Sequence, residues 1–272
     1  MTEPFRKVPR EIYERIDNGL YDAQGDLWWR PDSSFFQTKE VFNPVRIGYA
    51  KKTLIDRLGL NPHGKTALEV GCGGGILCEE IARMGFATTG VDPSGTSLRT
   101  AAAHAREGGL DIRYVRGVGE ALPCVSGSFD TVFCCDVLEH VRDLAGVIAE
   151  VSRVLKPGGA FCYDTFNRTW ISKLAAIKIA QEWKRWAFMP PRIHVFGMFI
   201  KPAEMKALLR ISGLEWREHR GIALNLSPFR ALGLLRRRAK GTLTYAELGE
   251  KIRLVESRFR GVMYWGLAVK RG

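Results

Sequence analysis

Thr66 to Gly75 reads Thr-Ala-Leu-Glu-Val-Gly-Cys-Gly-Gly-Gly, an apolar run that breaks into glycines at 71, 73, 74 and 75. Ala67, Leu68 and Val70 suit a buried strand, and Ile76-Leu77 opens a helix. Glycine has no Cβ, so the backbone between them can turn sharply and approach a ligand closely. The helix aims free N–H groups and the positive end of its dipole at that turn. A second apolar strand at 87–91 ends in Asp92, whose carboxylate is placed to accept hydrogen bonds from ribose hydroxyls. Strand, glycine turn, helix and strand in this order begin a Rossmann-like α/β sheet.

Two ligand classes use such a turn. A dinucleotide pyrophosphate calls for G-x-G-x-x-G. Here the spacing is G-x-G-G-G, with Glu69 just before it. A carboxylate at that point repels a pyrophosphate and suits a cation. S-adenosylmethionine carries a sulfonium and an ammonium, so it is the expected cofactor, with Glu69, Gly71, Gly73 and Asp92 as contacts.

The chain's 272 residues fit one such domain with insertions. No apolar run is long enough to span a membrane, and the first residues lack a signal core, which predicts a cytoplasmic protein. Cys72, Cys78, Cys124, Cys134, Cys135 and Cys162 form no C-x-x-C pair and sit mostly in apolar strands, so they read as free core residues. Lys and Arg total 41 against 29 Asp and Glu, a net charge of +12. This favours nucleic acid, an anionic membrane surface or an acidic substrate without choosing among them.

Taken in order, residues 1–60 read as N-terminal helices and a lid, with one helix over 8–22. Trp28-Trp29 either covers a flat ligand or packs this segment on the core. A helix from Asn43-Pro44 to about 58 carries Arg46, whose guanidinium can clamp a carboxylate. Residues 61–166 form the cofactor-binding core, with strands at 66–70, 87–92, 112–116, 129–135 and 160–164 alternating with helices at 76–84, 95–107 and 144–155. The strand ends collect 71–75, Asp92, 117–120, Cys135 to His140 and 165–167 around one crevice. Gly119, Glu120 and Cys135 stand at these ends, where ligands of such sheets bind, and the resemblance drawn below makes them cofactor candidates. Residues 167–200 break the alternation. Trp170, Ile171, Leu174, Ile177, Trp183 and Trp186 fall near helical spacing amid Arg168, Lys173, Lys178, Lys184, Arg185 and Arg192. This basic amphipathic stretch reads as a cap over the site or as a helix lying in a lipid interface. Residues 201–272 complete the sheet with a helix to about 211 and an antiparallel strand pair at 214–221 and 262–270. Arg236-Arg237-Arg238 and Lys240 read as a basic surface loop between them.

After the fourth strand comes Asp136-Val137-Leu138-Glu139-His140. On a helical turn Asp136, Glu139 and His140 share a face. Such a set can ligate a divalent ion or supply a general base; capping is the structural alternative. His194, in Arg192-Ile193-His194-Val195-Phe196, is a second candidate base.

These motifs resemble the class I S-adenosylmethionine-dependent methyltransferases, and more narrowly the ubiquinone-biosynthesis O-methyltransferases, which methylate catechol-type hydroxyls of polyprenylated quinone precursors. The resemblance rests on Trp28-Trp29, Asn43-Pro44-x-Arg46-x-Gly48-Tyr49, Val70 to Leu77, Leu138-Glu139-His140-Val141, Lys156-Pro157-Gly158-Gly159, Thr165-x-Asn167-Arg168 and Phe199-Ile200-Lys201-Pro202-Ala203-Glu204, covering about 20–226. It implies a mostly parallel seven-stranded sheet with a helical cap. It also implies donor contacts at Arg46, Gly71, Asp92 and Cys135, and a Mg2+ site at Asp136, Glu139 and His140. The first of these acids is more often Glu in the family. The acceptor it implies is a lipid-tailed aromatic small molecule, with peripheral contact at the inner face of the membrane. Val118 stands where many relatives carry an adenine-binding Asp, which leaves that contact to backbone near Gly119. The family pattern fades in the C-terminal part. Rival readings are methylation of another phenol, thiol or amine, RNA methylation, and donor binding without catalysis. The RNA reading is opposed by Asp-Val-Leu-Glu where base-amine enzymes carry Asn-Pro-Pro-aromatic.

Overall fold

The computed structural model describes residues 7–183 and 187–272. Its strands are β1 (Thr66–Val70), β2 (Ala87–Asp92), β3 (Ile112–Arg116), β4 (Phe129–Cys134), β5 (Leu155–Phe166), β6 (Leu214–Leu224), β7 (Leu254–Ser257) and β8 (Met263–Lys270). Its helices are α1 (Arg10–Tyr13), α2 (Leu20–Ala23), α3 (Asn43–Ala50), α4 (Ile76–Arg83), α5 (Gly95–Glu107), α6 (Leu144–Val154), α7 (Trp170–Ser172), α8 (Pro202–Ile211), α9 (Pro228–Ala239) and α10 (Tyr245–Lys251). Wider-pitch turns extend α3 through Lys51–Arg57 and α7 through Lys173–Glu182.

The strands form one sheet in the order β3-β2-β1-β4-β5-β8-β6-β7. Within β3 to β5 every neighbouring pair is parallel. β8 runs antiparallel to β5 and β6, and β7 antiparallel to β6. The expected seven-stranded sheet thus has eight. The addition, β7, is a four-residue edge strand with Glu256 in it, too short and too charged to stand out by alternation.

Parallel strands need both faces covered. Along β1, alternate side chains go to opposite faces. Leu68 and Val70 join Val147 and Ile148 of α6 and Met205 and Leu209 of α8. Ala67 joins Leu77 and Ile81 of α4 and Ile47 and Ala50 of α3. Glu69 shares the face of Ala67, so a carboxylate is carried into a helix-covered layer. The chain leaves β1 toward β2 and β3, then returns to β4 on the other side. That reversal opens a crevice at the carboxyl ends of β1 and β4.

Two departures from the sequence reading have physical causes. The single helix expected over 8–22 is two one-turn helices, α1 and α2. Between them Asn18 turns its side chain to the carbonyl of His140, and Gly19 weakens the helix. Arg236, Arg237 and Arg238 lie on α9 rather than in a loop. With α10, that helix buries Leu235, Leu243, Leu248 and Ile252 against Val41 and Ile179. The stretch around 170–182 is helical, with Ile177 buried and Trp170 and Leu174 exposed; Lys184, Arg185 and Trp186 lie outside the described residues. All six cysteines are free thiols. Among the described residues no helix is long and apolar enough to cross a membrane.

Candidate active site

A cavity of about 510 Å³ occupies the crevice, within the size range of small-molecule sites. Arg46, Glu69, Gly71, Gly73, Asp92, Gly119, Glu120, Cys135, Asp136, His140 and His194 all line it. Of the expected site residues only Glu139 lies outside that lining, buried directly behind it at 1% exposure.

The glycine loop is shaped from outside as well as inside. Gly73 has φ +49°, and a Cβ there would stand 2.5 Å from Trp28 Cζ2; a Cβ on Gly74 would strike Trp28 Cβ and Cγ. Trp28 Nε1 donates to Ser97 Oγ at 2.9 Å, and its ring stacks 4.5 Å from Phe35. Trp29 Nε1 donates to the Gly74 carbonyl at 2.8 Å and stacks on His104. The tryptophan pair therefore clamps the loop, and Trp28 also lines the cavity.

Asp92 accepts from the Gly73 N–H at 2.9 Å through Oδ2 and from the Ser94 N–H at 2.8 Å through Oδ1. It ties the end of β2 to the glycine loop while facing the cavity. Glu69 has one oxygen, Oε2, buried without a partner. Burial pushes its carboxyl up to about 8, only partly offset by the Cys78 thiol and Arg46. An acid so destabilised in its charged form invites a cation.

Arg46 is buried and held on two sides. Its Nε and Nη2 donate to Asp164 at 2.9 and 3.2 Å, and Nη2 also donates to Asp136. Asp164 accepts in addition the Asp136 N–H at 2.9 Å. Asp136 stands at φ +54°, a left-handed conformation costly for a residue with a Cβ, and that turn delivers its carboxylate to Arg46. It is therefore not on a shared helical face with Glu139 and His140.

The third acid-imidazole partner is instead His194. Ligand atoms of Glu139, His140 and His194 lie within 4.8 Å of one another. Thr165 Oγ1 donates to Glu139 Oε2 at 2.8 Å, while Glu139 Oε1 and His194 Nδ1 are buried without partners. Asn18 Oδ1, an acceptor only, sits 3.3 Å from His140 Nδ1 and so makes that nitrogen the donor. Gln181 pins the His194 backbone with bonds of 2.8 and 3.1 Å. Burial pulls His140 down to about 3 and His194 to about 4, so both rings are neutral near pH 7. Burial and the Asp136 charge hold the Glu139 carboxyl well above its ordinary range.

Sequence reasoning missed Asp164 and Asn18 as site residues. A charged residue closing the apolar run Ala160-Phe161-Cys162-Tyr163 was a signal for Asp164. Asn18 carried none, because its partner is 122 positions away.

The methyltransferase domain family matches residues 68–163. A Maricaulis maris protein named ubiquinone biosynthesis O-methyltransferase is 38% identical over 204 residues, covering 73% of this chain and 79% of its own. A Caulobacter vibrioides protein of the same name is 36% identical over 233 residues, covering 83% and 91%. In fold, the chain is similar to a Thermotoga maritima S-adenosylmethionine-dependent methyltransferase, described as a possible histamine N-methyltransferase. The TM-score is 0.56 at 18% identity, over 96% of this chain and 99% of that one. With a methyl donor's loop at β1, an acid at the end of β2 and relatives this similar over most of their length, the chain is an S-adenosylmethionine-dependent methyltransferase and belongs to the ubiquinone biosynthesis O-methyltransferase family.

Proposed function

We propose that the protein methylates a phenolic hydroxyl of a catechol-type, lipid-tailed quinone precursor, the class of acceptor that its relatives' name points to. The observation that carries this reading is one cavity lined by both Glu69 and Asp92 and by two neutral, buried imidazoles. Glu69, the loop at Gly71 and Gly73, Asp92, and the Gly119 to Glu120 and Cys135 segments hold the donor, and Arg46 faces its carboxylate.

A phenol has a pKa of about 10 and keeps its proton at neutral pH. A ring nitrogen of His140 or His194 takes that proton as the oxygen attacks. The oxygen bonds to the methyl carbon, the carbon–sulfur bond breaks, and S-adenosylhomocysteine and an aryl methyl ether result. Holding the two reactants in line supplies much of the rate. Asn18 orients His140, and Gln181 orients His194.

The unpartnered Glu139 Oε1 and His194 Nδ1 make Glu139, His140 and His194 a fitting set of ligands for one divalent ion. One carboxylate and two imidazoles suit a transition ion better than Mg2+, which prefers oxygen ligands. Such an ion would supply stabilisation of the phenolate in place of proton transfer to the imidazoles that hold it. The cap around 168–192, with Trp170 and Leu174 exposed, serves as a membrane contact through which a tailed acceptor reaches the site.

Replacing Glu139 and His140 with Ala is expected to spare S-adenosylmethionine binding and abolish methyl transfer to a short-tailed catechol. Unchanged turnover, or methylation of amines or thiols in place of the catechol, refutes the reading.

A further inference from the structure

The insertion between β6 and β7 carries a concentration of charge that the active site does not use. Residues 226–242 contain Arg230, Arg236, Arg237, Arg238 and Lys240 and no acidic residue. Helical periodicity sorts them. Ala231 and Leu235 are buried, Leu235 in a cluster with Val41 that also takes in Leu234 and Ile179. Arg238 lies over the Tyr245 ring, 3.8 Å from its centroid. The outward stripe of α9 is Phe229, Gly233, Arg236 and, one residue beyond, Lys240, flanked by Arg230 and Arg237. All six are exposed, Phe229 at 86%. Leu224, at the end of β6 just before the helix, is exposed as well.

We propose that this outer face of α9 docks on an anionic lipid surface. The stripe has the two parts that interfacial binding needs, an apolar side chain free to enter the acyl boundary and arginines free to meet headgroup phosphates. Its charge is of one sign. An RNA partner would use the arginines and could stack on Phe229, but would find no partner for the aliphatic Leu224. The proposal extends the membrane reading of the 168–192 cap to a second element, which meets the extension of α7 at Ile179.

The test is sedimentation of the full-length protein with vesicles of phosphatidylcholine alone or mixed with phosphatidylglycerol, with a single-stranded RNA as competitor. Each arginine near an anionic surface contributes roughly fivefold to partitioning. Arg236→Ala/Arg237→Ala is therefore expected to weaken binding to the mixed vesicles by about 30-fold, and adding Phe229→Ser to weaken it further. Methyl transfer to a short-tailed, soluble acceptor stays unchanged, which certifies the fold and leaves the acceptor reading standing on its own. Loss in the α9 variants supports the proposal whether or not Trp170→Ser/Leu174→Ser also loses binding; retention in the latter rejects only the cap reading. Wild-type protein that ignores anionic vesicles, α9 variants that bind them as wild type does, or binding to RNA alone overturns it.

Discussion

If Glu69 faces the cationic part of the donor, as proposed, cofactor binding depends on pH. Its carboxyl is lifted to about 8, chiefly by burial, so near pH 7 the free enzyme holds it mostly protonated. A cationic ligand beside it is best served by the carboxylate, so binding must expel the proton. The cost at pH 7, one pH unit below that value, is on the order of 1 kcal/mol, and at pH 6 on the order of 3 kcal/mol. Apparent affinity for S-adenosylmethionine is therefore expected to rise about tenfold per pH unit up to about 8 and then level off. Titration calorimetry in buffers of differing protonation enthalpy should register release of the larger part of one proton at pH 7. Glu69→Gln should bind more weakly above pH 8 and lose this slope. Neutral 5′-methylthioadenosine, which lacks both cationic groups, should not show it; any slope from Asp92 would appear there too and so be separated. Equal proton release by the two ligands, or a slope surviving Glu69→Gln, refutes the reasoning.

The same carboxyl governs stability in the opposite sense. Because the folded value is raised above the ordinary one near 4.5, the native state holds the proton more tightly, so stability is fullest below that value and falls as pH rises toward 8. Glu69→Gln should remove the decline and leave the ligand-free protein more stable at pH 8 by on the order of 4 kcal/mol in urea unfolding; parallel profiles for the two proteins would contradict this. Gly74→Ala must displace Trp28, costing about 2–4 kcal/mol, and that cost should fall below about 1 kcal/mol in a Trp28→Gly background, which removes both the Cβ and the ring that it would strike; additive effects would show that the loop is not clamped by Trp28. Arg46→Ala leaves Asp164, with no side-chain exposure, as an orphaned buried charge, for a loss of about 3–5 kcal/mol. Asp164→Asn in the same chain should recover part of it, and no recovery would place the loss elsewhere.

The sequence by itself determined the order of strands and helices from β1 to β5, the glycine turn at 71–75 and the acid at the end of the next strand. These are short-range properties: apolar runs, glycine geometry and capping act within a few residues, so reading along the chain finds them. It also carried Asp136, Glu139 and His140 as one set and His194 as a second candidate base. Only the tertiary structure decided that His194, not Asp136, completes that trio, that Asp164 neutralises Arg46, and that Trp28 is the reason Gly74 has no side chain. It likewise turned a basic loop into a helix, because Leu235 and Leu248 find their apolar partners in Val41 and Ile179 from distant parts of the chain. Charge pairing and desolvation depend on which strands end as neighbours and how deeply they lie, and neither quantity exists until the sheet has formed.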